Sequence, residues 1–404
     1  MPRTRIGVDV GSTAVRVAEV AAGEIPVIVR AAQVPLPPGV VEAGEVRQPE
    51  IVGEALRELW SKAGVKSKQV HLGVGNQRVV VRELALPWLP EKELRDTLGF
   101  QVQEFIPMAS DEAVLDFDPL GEMDQGGRRM VRILLVAAHK PMVNALVEAA
   151  LAAKLDPQGI DLTPFAVIRA VGAGDDGLDL DSSGDEAIVD IGAQVTSICV
   201  HDRGVTRFVR MLPSGGRDIT LALASGLGVD DEMAERLKRG ERFGGIADAV
   251  PAVGSPADGA PAVQLPPPAD ALPVDTLPTD TLPTDTLPAE APRGVPGVLA
   301  DPAAVRHLAL TRAGSFVDEV RSSLEFYTAQ MPNTQIGRVL VVGGGSRLDG
   351  LLELLQERLP VPVDRGRLFE RAKSEIELSA EASAEAEAVL AVAVGLAIPS
   401  WRSA

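Results

Sequence analysis

One cysteine in 404 residues, Cys199, excludes a disulfide framework, and its setting in an apolar strand marks it as a buried, inert thiol. Histidine is almost as scarce. There are four, with no Cys/His cluster, so no structural zinc site can be assembled. Basic residues are outnumbered, 39 Lys and Arg against 57 Asp and Glu, and the net charge of −18 excludes nonspecific binding to nucleic acid or anionic lipid as the main activity. A basic partner segment suits such a chain better. Neither a P-loop ending in Gly-Lys-Ser/Thr nor a Gly-x-Gly-x-x-Gly turn follows a strand, which excludes the Walker and Rossmann nucleotide folds. No apolar run reaches bilayer-spanning length. Residues 388–398, an Ala/Val/Leu/Gly mixture, read as a buried helix ending near Pro399. The first strand begins almost at Met1, with no basic-then-apolar leader, so a cytoplasmic protein is expected.

What the sequence does contain is one pattern twice. Asp9-Val10-Gly11-Ser12-Thr13 and Asp190-Ile191-Gly192-Ala193-Gln194-Val195-Thr196 each end an apolar strand in Asp-apolar-Gly followed by small hydroxyl or amide residues. Ile6, Val8 and Val10 precede the first turn and Val15, Val17 and Val20 follow it; residues 187–191 and then Val195, Ile198 and Val200 frame the second. Each therefore reads as strand, tight turn, strand. Glycine at 11 and 192 lets backbone amides approach an anion with no Cβ between them, and consecutive amides in such a turn form an anion-binding nest. Ser12, Thr13, Gln194 and Thr196 add side-chain hydrogen bonds to the same phosphate oxygens. Asp9 and Asp190 are poor direct neighbours for phosphate, but they suit the water shell of a Mg²⁺ ion that bridges phosphates.

A third element is the apolar strand Val339-Leu340-Val341-Val342, which runs into Gly343, Gly344, Gly345, Ser346 and Arg347 and then a helical pattern at Leu351, Leu352, Leu354 and Leu355. A strand-glycine-helix junction lets a ribose or adenosine lie against the backbone near a helix start. In this order the three elements resemble the phosphate 1, phosphate 2 and adenosine motifs of the actin, heat-shock chaperone and sugar kinase ATPase superfamily. The resemblance implies an α/β, two-lobed actin-like ATPase fold with ATP and Mg²⁺ as cofactors. It also points to Glu235 and Lys238 against the adenosine, and to Gly215 and Gly216 lending amides to a phosphate.

Between the first two motifs lies a segment with a closer likeness. Residues 84–94, then Phe100-Gln-Val-Gln-Glu-Phe-Ile-Pro107, then Val114-Leu-Asp-Phe-Asp118 resemble the type IV pilus assembly family PilM, relatives of the division protein FtsA. The match continues through 131–138 and 159–162. The family resemblance implies an FtsA-type subdomain inserted in the first lobe, and a groove between it and that lobe for the cytoplasmic N-terminal tail of the inner-membrane protein PilN. Other pilus inner-membrane and motor proteins are further implied partners. It divides the chain into a first lobe at 1–76 and 156–184, an insert at 77–155, a second lobe at 185–213 and 335–404, and a small subdomain at 214–334. FtsA relatives end in an amphipathic membrane helix after a linker, whereas this sequence stops at Trp401-Arg-Ser-Ala404, so membrane association is expected through a partner.

Residues 245–301 fit no part of that plan. Prolines crowd them, and Asp275, Asp280 and Asp285 each open a repeat of Asp-Thr-Leu-Pro, too proline-rich for helix or sheet interior. A mobile, partly extended loop is expected there. Elsewhere Ile51, Val52, Ala55, Leu56, Leu59 and Trp60 recur at helical spacing and stop at Gly64, and Leu308, Phe316, Val320, Leu324 and Tyr327 outline a longer helix.

Hydrolysis needs a residue to orient the attacking water, which the superfamily supplies as Gln or Glu near the start of the helix linking the lobes. Residues 162–168 contain neither; Asp161, just before them, is the candidate substitute. Slow ATP use is the expectation. A filament-forming relative of FtsA or actin is the alternative reading, and a metabolic kinase lacks a candidate catalytic carboxylate.

Overall fold

A computed structural model describes residues 4–172, 184–240, 301–331 and 334–399. The expected loop at 245–301 lies outside them except for Asp301, whose carboxylate accepts from the Ala303 N–H at 2.9 Å and caps a helix.

The first lobe opens with three antiparallel strands, β1 (Thr4–Val10), β2 (Ala14–Ala21) and β3 (Val27–Pro35). A small hairpin, β4 (Val41–Glu42) and β5 (Glu45–Val46), leads to α1 (Pro49–Ala63). This helix buries Val52, Leu56, Leu59 and Trp60 and ends on Gly64 at φ +65°, a left-handed cap that glycine adopts without strain. Next, β6 (Gln69–Val74) returns parallel to β1.

The chain then leaves the lobe. Strands β7 (Val80–Pro87), β8 (Ala113–Gln125) and β9 (Arg128–His139) form an antiparallel sheet in the order β7-β9-β8, covered by α2 (Glu91–Gln101). Leu94, Leu98, Phe117, Ile133 and Leu135 give this insert its own core. It is shorter than expected. Helix α3 (Lys140–Ala152), anticipated within the insert, buries Met142, Val143, Leu146, Ala149 and Ala150 in the first-lobe core against α1, because its apolar stripe faces that way. Strand β10 (Asp156–Leu162) then completes the first sheet at the outer side of β6.

Helix α4 (Thr163–Val171) leads to the second lobe, which repeats the plan with β11 (Asp185–Ile191), β12 (Thr196–Asp202) and β13 (Val205–Leu212) antiparallel. Helices α5 (Gly216–Leu227), α6 (Asp231–Lys238) and α7 (Pro302–Gln330) follow, then β14 (Ile336–Val342), parallel to β11 as β6 is to β1. Helix α8 (Leu351–Arg358) and β15 (Val363–Arg365) complete the lobe.

The C-terminal stretch departs from expectation. After α9 (Leu368–Arg371), the short β16 (Lys373–Ser374) joins the first sheet beside β3. The expected single helix at 388–398 divides at Leu390 into α10 (Ala380–Val389) and α11 (Ala391–Ala397). α11 does not close the second lobe. It packs on β1, β2 and β6 and against α4, so the two helices fill the layer between the lobes. Gly395 permits this, since a Cβ there would lie 1.8 Å from the Ala166 carbonyl oxygen. Cys199 is buried in the same layer, and burial pushes its thiol well above its ordinary pKa, as expected of an inert thiol. Among the described residues no helix is long and apolar enough to cross a membrane.

Candidate functional site, a cleft between two phosphate hairpins

The repeated motif becomes a repeated structure. In the first hairpin Asp9 pairs with Arg16 and the Gly11 N–H donates to the Ala14 carbonyl at 3.0 Å; in the second Asp190 pairs with Ser197 and the Gly192 N–H donates to the Val195 carbonyl at 3.0 Å. Between them opens a cleft of about 1010 Å³. The first hairpin lines it with Asp9, Gly11, Ser12 and Thr13, and the second with Asp190, Gly192 and Gln194. Gly343, Gly344, Gly345 and Arg347 close one end, and Gly216, Glu235 and Lys238 flank them. Gly343 adopts φ +86°, and a Cβ there would lie 2.4 Å from Asp190 Oδ1, so only glycine lets the third motif approach the second.

Several expected ligands are occupied elsewhere. Thr196 is fully buried and its hydroxyl donates to the Ser214 carbonyl at 2.9 Å. Ser346 is buried with its hydroxyl on the Gly343 carbonyl at 2.7 Å. The two amides assigned to phosphate at the start of α5 are also used internally: the Gly215 N–H donates to Asp218 Oδ2 at 2.8 Å and the Gly216 N–H to the Gly192 carbonyl at 2.9 Å. These groups shape the second turn. Asp161 fails as a water-orienting group because it lies outside the cleft, paired with Arg169 at 2.5 Å beside a second cavity. Gln194 reaches across the cleft, where its Oε1 accepts from the Ala43 N–H at 2.7 Å.

Other cleft residues were not anticipated. Arg16 Nη1 lies 3.1 Å from Asp9 Oδ2, and its buried Nε has no partner among the described residues. The clue was present in the hairpin, since a residue directly across from the aspartate shares its face. Arg217, Glu232, Arg239 and Glu385 also line the cleft. Glu385 accepts from Gln33 Nε2 at 3.1 Å and stands 3.7 Å from Arg347, a link that no local sequence signal announces because its members are far apart in the chain.

Electrostatics separate the two aspartates. Burial raises the Asp9 pKa, while the Arg16 charge and hydrogen bond oppose that rise. Burial, with the charge of Asp9 added, pushes Asp190 up to about 7. Beside the glycine run, Lys238 Nζ contacts Glu235 Oε2 at 2.6 Å, Thr220 Oγ1 at 2.8 Å and the Gly216 carbonyl at 3.0 Å. Burial pushes Glu235 up, but Lys238, Thr220 and Arg239 outweigh it and hold the carboxylate below its ordinary pKa; burial lowers that of Lys238 against the pull of Glu235.

Two lobes of like topology around a glycine-lined cleft, with helices between them and a subdomain inserted in the first, define the actin-like ATPase fold. Residues 7–248 match the family Type IV pilus assembly protein PilM, and residues 187–395 match Cell division protein FtsA. The chain belongs to the PilM family. A solved structure described as the PilM-PilN type IV pilus biogenesis complex is 25% identical, covers 98% of each chain and superposes with a TM-score of 0.72. The ethanolamine utilization protein EutJ from Carboxydothermus hydrogenoformans shares the fold at 16% identity, covering 98% of this chain and 90% of its own, with a TM-score of 0.52.

Proposed function

We propose that this protein is an ATP-binding adaptor of type IV pilus assembly that holds the N-terminal cytoplasmic tail of a PilN-type membrane protein and couples the envelope complex to the motor. Held this way, it sits at the inner face of the cytoplasmic membrane through its partner. One observation carries the reading. Among the described residues β8 is one edge strand of the insert's sheet and β10 one edge strand of the first lobe's sheet, and both line the same cavity of about 270 Å³. A crease between two sheet edges suits an extended peptide, because an edge strand binds added main chain while the cavity takes side chains. Asp116, held by Arg95 at 2.6 Å, and Asp118 line one wall and Arg5 and Arg169 the other, and Ile160, 39% exposed, offers an apolar contact.

ATP is the ligand of the large cleft in this reading. The partnerless Arg16 Nε and the close-set glycines suit a triphosphate. Asp9 and Asp190 fit a Mg²⁺ ion, since two half-buried carboxyls face the same cleft closely enough for the charge of Asp9 to raise Asp190, and a cation between them would relieve that repulsion. Among the described residues no cluster of three metal-binding side chains forms, so that ion relies on water and phosphate for its other ligands. α4 brings Thr163 to the cleft and no Gln or Glu, which makes ATP a structural ligand turned over slowly.

Calorimetric titration with a synthetic PilN N-terminal tail tests the adaptor role. Binding is expected in the full chain, weakened at least tenfold by Ile160→Asp with ATP affinity unchanged. No binding by the parent chain, or undiminished binding by the variant, overturns the groove assignment.

A further inference from the structure

The β4–β5 hairpin lies between the two sites just described and is bonded toward both. Its tip, Ala43, donates its N–H to Gln194 Oε1 in the second phosphate turn at 2.7 Å and accepts at its carbonyl from Asn76 Nδ2 at 2.5 Å. The tip is backbone-constrained, with φ +48° at Ala43 and +79° at Gly44, where a Cβ would sit 2.2 Å from the Gly75 carbonyl. A non-glycine residue stays in that region only when its surroundings hold it there.

Asn76 is 1% exposed and uses its remaining groups on the chain that follows. Its Oδ1 accepts from the Arg78 N–H at 2.7 Å and its carbonyl from the Val79 N–H at 2.9 Å, forming the turn that opens β7, the first strand of the insert. Glu45, also buried, reaches the same turn through Arg78 Nη1 at 3.2 Å and holds Arg47 at 2.8 Å. The tip thus bonds to the second phosphate turn through its N–H and to the residues that aim the insert through its carbonyl. Gly44 and Val46 line the nucleotide cleft beside it.

We propose that this hairpin is a relay in which Gln194, Asn76 and Glu45 act as positioning residues, making the peptide groove depend on the state of the second phosphate turn. The inference rests on the groove reading above. A triphosphate drawn into that turn shifts Gln194 relative to the first lobe, and Ala43 follows through its N–H. Asn76 and Arg78 follow Ala43 and Glu45. Because β7 pairs with β9 and β9 with β8, the insert moves as one sheet, and the β8 edge changes its separation from β10. Linkage makes the effect reciprocal, so the peptide must favour ATP by the factor by which ATP favours the peptide.

The test uses the full chain, titrated with the tail peptide with and without saturating ATP. A ratio of affinities of about tenfold is expected in the parent chain, within the usual range of coupled sites. Asn76→Asp keeps an acceptor for the Arg78 N–H but loses the donor to Ala43; Glu45→Gln loses the ion pair; Gln194→Ala loses the crossing bond. Each should bring the ratio toward one, while a merely structural role would weaken binding equally in both conditions. Hydrogen exchange supplies a second readout independent of any peptide: ATP should slow exchange across residues 76–87 in the parent chain and not in Asn76→Asp. Absence of that slowing in the parent, or ratios unchanged in all three variants, overturns the relay. If the tail fails to bind, the groove reading falls, and the exchange result still decides the relay.

Discussion

The two phosphate hairpins share a backbone and differ in charge. Each places an aspartate at the strand end and a glycine in the turn, and the residue paired with the aspartate stands at the same offset in both. In the first hairpin that residue is Arg16, ion-paired to Asp9; in the second it is Ser197, buried and uncharged. Arg16 offsets the burial of Asp9 by its charge and by a hydrogen bond, whereas Asp190 feels only its charge and is pushed up to about 7. Duplicating a turn duplicated the amide cradle and left the cation to one copy. The second turn is the one whose charge awaits a ligand, and it is also the one tied through Gln194 to the first lobe.

The largest expected effect comes from removing the Asp190 carboxyl, which no side chain pairs with directly among the described residues. An acid whose folded pKa exceeds its unfolded one gives stability that is fully present below the unfolded value of 3.8 and is lost as pH rises from there through about 7. For a rise from 3.8 to about 7 the loss is up to about 4 kcal/mol, at about 1.4 kcal/mol per unit. Urea denaturation of the ligand-free protein should show stability falling over that interval, and Asp190→Asn should remove the fall while weakening Mg·ATP binding at least tenfold. Asp9→Asn should gain less, because it strands Arg16. Equal gains from the two variants would erase the asymmetry.

The next effect concerns the glycines. A Cβ at Gly192 would sit 2.6 Å from the Val195 carbonyl, while at Gly11 the nearest atom is Arg16 Nη1 at 3.2 Å, the end of a long side chain. Gly192→Ala should cost about 2 kcal/mol, as overpacking does, and Gly11→Ala about 0.5 kcal/mol. Thermal denaturation of the pair measures the difference, and matching losses would show the turns to be equally tight.

These contrasts mark where the sequence was readable. The strand-turn-strand pattern, the Asp-apolar-Gly repeats and the glycine run at 343–345 are local signals, and they located the two-lobed fold and the cleft. Helix α1 was legible down to its Gly64 cap for the same reason. Tertiary allocation was not. The apolar stripe of α3 fits either the insert or the first lobe until its partner α1 is known, and α11 reads as a buried helix without saying which sheet it buries against. Hydroxyls and amides beside a turn look alike in sequence whether they face a ligand or their own backbone, so Thr196 and Gly215 read as phosphate ligands and Ser346 as part of the adenosine element. Asp161 failed by strand direction, since a carboxylate just before the linking helix can face either side of the sheet.

The smallest effect tests the position across from each aspartate. If Arg16 serves the first turn as the cation that the second lacks, Arg16→Gln removes a charge-assisted contact to phosphate and should weaken ATP binding about tenfold. The same change takes the ion pair from Asp9 and the attraction of that charge from Asp190, so the ligand-free variant should lose more stability between pH 4 and pH 7 than the parent chain does. Ser197→Ala removes only a buried hydroxyl and should change ATP affinity less than about threefold, with no new pH dependence. Titration of both variants at pH 6 and pH 8 separates the outcomes. A pH-dependent loss in Arg16→Gln alone assigns the asymmetry to the residue paired with the aspartate, and equal losses in both would assign it to the backbone the hairpins share.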